Sequence, residues 1–149
     1  MIIDSRTEFA DAEALSTSTG RGLVGDVIDL GAANPALGLA QNLFLVVQVA
    51  TALTSDGSAT VDFELVSDAQ AAIAVDGSAT VHVATGAMAI TALDAAGDEV
   101  LIVPLPARAN YERYLGLIAN VATAALTAGA VDAFLTTSVS AFKAYPGVK

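Results

Sequence analysis

Thr60-Val61-Asp62-Phe63-Glu64-Leu65 alternates polar and apolar residues without a break. A period of two sets Val61, Phe63 and Leu65 on one face of an extended strand and the two carboxylates on the other. Two further runs, Leu43 to Val49 and Val100 to Val103, are apolar at nearly every position, as expected of strands covered on both faces. Similar short segments recur at Asp26 to Gly31, Ala79 to Ala84, Ala87 to Leu93, Glu112 to Ala122 and Ala130 to Ser140, separated by Gly-containing turns. Eight such segments without a long helical stripe predict an all-β fold, an antiparallel jelly-roll-like β-sandwich. An immunoglobulin-like sandwich has the same strand spacing. Alanine abundance favours helix by propensity, most of all at Ala119 to Ala128, but period-two patterning is the stronger signal.

A chain of 149 residues fits one domain, long enough to bury roughly 68–70% of the surface its unfolded form exposes. It has no cysteine, so neither disulfides nor thiolate metal sites hold it together. Residues 4–22 are polar and small, ending in Ser16-Thr17-Ser18-Thr19-Gly20-Arg21-Gly22, and residues 1–22 are expected to form an extended N-terminal arm with a short helical stripe of Phe9, Ala12 and Leu15. The sandwich then covers 23–141, and 142–149 is a C-terminal tail.

Between Arg21 and Arg108 there is no Lys or Arg, while ten Asp and Glu residues fall in that interval and the net charge of the chain is −10. That interval has no cations with which to displace counterions from nucleic acid, and the net charge repels phosphate, so nucleic acid is not an expected partner. Mean hydropathy is high, +0.63, and Tyr114 to Val131 is uncharged. Asn120, Thr123, Thr127 and two glycines interrupt that stretch, so it reads as two strands around Thr127-Ala128-Gly129, and no membrane span is expected. The residues from Met1 to Arg6 lack the basic start and apolar core of a secretory signal. The surplus of apolar residues points to surface buried between subunits.

The residue sets of common catalysis are missing. His82, in Thr80-Val81-His82-Val83, is the one histidine, expected on a strand face with Thr80 and Ala84, opposite Val81 and Val83; no Gly-x-Ser-x-Gly elbow accompanies it, so an exposed or singly hydrogen-bonded imidazole is expected in place of a general base. One histidine is too few for a cupin-type metal centre. Carboxylates are plentiful, but the calcium-loop spacing is absent, and they are expected to be solvated. No phosphate loop is present and no cofactor is implied. Without tryptophan a sugar platform is poor. Enzymatic activity is not expected.

Asp56-Gly57-Ser58-Ala59-Thr60-Val61 recurs as Asp76-Gly77-Ser78-Ala79-Thr80-Val81, two turn-to-strand entries in which Gly is expected to supply positive φ. Arg108 and Tyr111-Glu112-Arg113-Tyr114 gather cations and aromatics, a composition suited to an interface or to a local Arg–carboxylate pair at a sheet edge. With the arm residues Ile2, Ile3, Arg6 and Phe9 and the tail aromatics Phe142 and Tyr145, the residues Arg108, Arg113 and Tyr114 are the interface candidates.

Several segments, in order, resemble the capsid cement (decoration) proteins of Bordetella-type tailed bacteriophages. They are Met1-Ile2-Ile3-Asp4 with Phe9-Ala10-Asp11-Ala12, Val27-Ile28-Asp29-Leu30-Gly31, Leu43 to Val49, Asp62-Phe63-Glu64-Leu65, Glu112-Arg113-Tyr114-Leu115, Thr127-Ala128-Gly129-Ala130 and Ala144-Tyr145-Pro146. The resemblance implies a jelly-roll protein on the outer surface of an icosahedral head, bridging major capsid protein subunits as a homo-oligomer, a dimer, with no catalytic residues. A receptor- or glycan-binding sandwich of a virion fibre or cell surface is the alternative that the same architecture could serve.

Overall fold

The computed structural model describes residues 6–15, 17–33, 42–107 and 109–139. Ile2, Ile3, Arg108, Phe142 and Tyr145 lie outside the described residues, as does the 142–149 tail. The described chain forms β1 (Glu8–Ala14), β2 (Gly20–Asp29), β3 (Phe44–Thr54), β4 (Thr60–Asp68), β5 (Thr80–Ala84), the two-residue β6 (Met88–Ala89), β7 (Glu99–Pro104), β8 (Tyr114–Ala122) and β9 (Ala128–Thr136). A single 3₁₀ turn, Ile90–Ala92, follows β6.

Pairing is antiparallel throughout and nested. β1 pairs with β9, β2 with β8, β3 with β7 and β4 with β5, so the early strands meet the late ones in reverse order. This doubled ribbon then folds on itself through β3–β9 and β4–β8. The result is two sheets, β1-β9-β3-β7 and β2-β8-β4-β5, with β6 beside the start of β4. That strand order is the jelly roll of two Greek keys, and it differs from the immunoglobulin order.

Period-two alternation accounts for the core. Leu45, Val47 and Val49 of β3, Val61, Phe63 and Leu65 of β4, Leu115, Leu117 and Val121 of β8, and Val131 and Ala133 of β9 fill the space between the sheets. A second, smaller cluster sits on the outer face of the β8–β4 pair, where Val66, Ile73, Ala79 and Ile118 are buried together. It forms because the 69–79 loop folds back over its own sheet. Asp68 holds that loop in place, its carboxylate accepting from the Gln70 and Ala74 amides at 3.0 Å each.

The stretch around Leu43 to Val49 is apolar on both parities for a physical reason visible here. Leu45 and Val47 face the inter-sheet core, while Val46 faces outward, pairs in register with Phe134, and is nevertheless buried. Tyr114 to Val131 is β8, a short connection and the start of β9. Among the described residues no helix is long and apolar enough to cross a membrane.

Three expectations need correction. Residues 8–14 are not arm or helical stripe but strand β1, and β2 begins at Gly20. Phe9, Ala10 and Leu15 are buried in the main core, so the segment gains from tertiary packing what its own composition could not supply. Second, the two Asp-Gly repeats are not equivalent. Gly77 has φ +96°, as expected, but Gly57 is not in the left-handed region; a Cβ there would lie 2.8 Å from the Ala124 Cβ, so close approach dictates that glycine. Third, Val81 and Val83 do not share a face. Leu65 pairs with Val83 and Val66 with Val81, leaving His82 as the extra residue of a bulge.

Candidate functional site

The bulge in β5 turns His82 toward a buried polar group. Ser67, on the last turn of pleat in β4, is fully buried, and its Oγ lies 2.7 Å from His82 Nε2. The same oxygen accepts the Glu112 backbone N–H at 3.0 Å. The imidazole rests against the Tyr111 ring, with centroids 4.3 Å apart, and Glu112 Oε1 accepts from Thr80 Oγ1 at 2.8 Å. Burial lowers the His82 pKa below 6.5, while the Glu112 charge works in the opposite direction. A neutral imidazole accepting the serine proton satisfies this arrangement. Serine, histidine and glutamate thus converge here although sequence spacing did not bring them together. The serine is inaccessible and its oxygen is occupied by a backbone amide, so the trio ties the segment before β8 to the sheet edge, as the expected singly hydrogen-bonded imidazole would.

Tyr111 anchors the same segment. Its ring is buried in the core, its hydroxyl donates to the Pro106 carbonyl at 2.9 Å, and burial raises its pKa above 10.0.

Arg113, a candidate interface residue, is engaged within the chain. Its Nε and Nη2 each donate to the Asp29 carboxylate at 2.9 Å, and its guanidinium lies over the Tyr114 ring, 5.1 Å from the centroid. The Arg113 hydrogen bond, with help from the Gly31 amide, holds the Asp29 pKa down at about 2, and Arg113 is raised in turn. Both side chains are nearly half exposed, and a pair so well solvated adds little stability. It fixes the end of β2 against the start of β8. Tyr114 packs beside the outer cluster. Phe9 is core, and Arg6 lines a cleft of about 500 Å³ with Glu8, Asp26 and Asp29. An adjoining cleft of about 320 Å³ runs between β1 and β2 past Glu8, Asp11, Glu13 and Asp26.

A second ion pair was not legible from spacing. Arg21 on β2 reaches across β8 to Glu64 on β4, with Nη1 donating to Oε1 at 2.8 Å and Nη2 donating to Oε2. Glu64 is buried, so one of the two expected solvent-facing carboxylates of β4 is in fact covered and neutralised. Other acids close turns: Asp76 accepts from the Ser78 amide and hydroxyl, which lowers its pKa, and Asp98 accepts from the Ala95 amide. No three metal-ligating side chains gather among the described residues.

The arrangement that remains is one of surfaces. The described residues with large apolar side chains exposed by more than a third are Leu23, Val75 and Val81. Leu23 and Val81 belong to the outer side of the β2-β8-β4-β5 sheet, and Val75 to the loop that folds over it.

A family model described as Bbp16 matches residues 9–135. No curated protein matches the chain.

Proposed function

From the premise that this chain belongs to the Bbp16 family, a family of phage proteins, we propose that it is a structural virion protein that binds the outer surface of an icosahedral head and bridges major capsid protein subunits. The observation that carries the reading is the extent of the family match, which runs from within β1 to within β9 and so takes in both sheets. The resemblance read from the sequence points the same way. The protein acts by binding, as a homo-oligomer, a dimer, and without chemistry of its own.

The physical logic is that of a clamp. Packaged DNA presses the shell outward, and a module touching two subunits at once makes its second contact at high effective concentration, so individually modest contacts hold firmly. The acidic balance speeds approach to a basic surface and disfavours phosphate. Sedimenting the purified chain with shells of the cognate major capsid protein tests the reading. Co-sedimentation, with shells that resist heating better when decorated, is the expected result; a chain that stays in the supernatant would reject it.

A further inference from the structure

We propose that the outer face of the β2-β8-β4-β5 sheet is the face that seats on the shell, and that its counterpart there is an apolar ridge flanked by Lys or Arg. This rests on the capsid reading above and adds to it which surface makes the contact.

Leu23, Val75 and Val81 are 39%, 40% and 46% exposed, and two of them are joined by the buried cluster beneath. Leu23 pairs in register with Ile118, and Val81 with Val66. Ile118 and Val66 are packed together with Ile73 and Ala79. Leu23 and Ile73 meet over Gly116, where an added Cβ would lie 3.1 Å and 2.5 Å from their Cδ1 atoms. Leu23 and Val81 therefore flank a continuous apolar strip, and Val75 rides on the loop that forms its middle. The opposite sheet has a different outer face, for its outward Val46 and Phe134 are already buried.

The charge around the strip selects the partner. β4, β5 and the 69–79 loop carry no Lys or Arg, whereas Asp62, Asp68 and Asp76 lie along them and Glu112 sits at the edge. The two cations nearby are both engaged by carboxylates: Arg21, from β2, is held on Glu64 by two hydrogen bonds, and Arg113, over the Tyr114 ring, is held on Asp29 by two more. An apolar strip with an anionic rim complements a cationic rim. It repels a second copy of itself and any phosphate surface, which leaves the shell protein as occupant.

The test compares wild type with Leu23→Lys/Val81→Lys, Val75→Lys and, as a control on the other sheet, Thr51→Lys, an exposed position on β3. Binding to undecorated shells of the major capsid protein is measured by sedimentation, and folding by thermal melting. The double variant should bind at least about tenfold more weakly, Thr51→Lys should bind like wild type, and wild-type binding should weaken as salt rises. If the double variant melts early, Val75→Lys carries the same expectation. Wild-type binding left intact in Leu23→Lys/Val81→Lys or, in that event, Val75→Lys would overturn the proposal, as would variants that lose only self-association or binding indifferent to salt. Failure of wild type itself to bind would instead remove the capsid reading.

Discussion

Ser67 Oγ and His82 Nε2 stand 2.7 Å apart inside a contact that only a bulge in β5 makes possible. The serine also accepts the Glu112 amide and keeps one proton to donate, which the Nε2 of a neutral ring can accept. Burial lowers the His82 pKa in the fold below its ordinary 6.5. With a lower folded than unfolded pKa, the unfolded chain takes up the proton first, so the stabilisation is complete above 6.5 and is lost as pH falls through the folded value. The chain has one histidine. Melting temperature should therefore drop as pH is lowered from 6.5 toward the folded value, and His82→Gln should flatten that part of the profile; an equal slope in both proteins would contradict the assignment.

The Arg21–Glu64 pair crosses β8 on a largely covered surface, with side-chain exposures of 21% and 9%. Removing one partner strands a carboxylate or a guanidinium, and Arg21 Nε has no hydrogen-bond partner among the described residues. Arg21→Met should cost about 2–4 kcal/mol, whereas Arg21→Met/Glu64→Leu should return to within about 1 kcal/mol of wild type. Urea denaturation of the two singles and the double, read as a cycle, checks this.

Gly25 and Gly77 both have positive φ, yet substitution should separate them. A Cβ on Gly25 would lie 1.9 Å from the Phe9 carbonyl oxygen, where β1 and β2 pass closely, while nothing lies within 4 Å of one on Gly77. Gly25→Ala should lose about 2–5 kcal/mol from strain and overpacking together. Gly77→Ala should lose about 1–2 kcal/mol, the left-handed backbone cost alone. Equal losses in chemical denaturation would show that the β1–β2 approach is looser than described.

Phe9 is 1% exposed within the main core, and β1 lies along β9. Phe9→Ala should destabilise by about 3–5 kcal/mol. Deleting residues 1–15 removes an edge strand and the core side chains of Phe9, Ala10 and Leu15, so the truncated chain should unfold cooperatively at lower temperature, whatever its affinity for shells. Calorimetry distinguishes this from an arm whose loss leaves the melting temperature unchanged.

Alternation in Thr60 to Leu65 and the doubly apolar runs were enough to read a jelly-roll-like sandwich, because burial between sheets imposes a period of two directly on the residues. β1 escaped that reading. Its apolar residues, Phe9, Ala10 and Leu15, are too few and too irregular to show a period, and Ala12, at φ +49°, interrupts the ladder where its amide bonds to Asp132. The ion pair of Arg21 and Glu64 and the group around Ser67, His82 and Glu112 were likewise hidden. Each joins residues more than a dozen positions apart through strand registers that no local spacing encodes. The residues around Arg113 left an interface and a local ion pair equally open; an ion pair forms, but its partner, Asp29, lies 84 positions away. The outer apolar strip depends on a loop folding back on its sheet, which composition does not announce.

Cryo-microscopy of the intact phage particle addresses the functional account most directly. Density outside the shell is expected, into which both sheets of the sandwich fit and which spans neighbouring capsid subunits with Leu23 and Val81 turned toward them. Particles on which this polypeptide is absent, or is found only on the inner side of the shell, would contradict it.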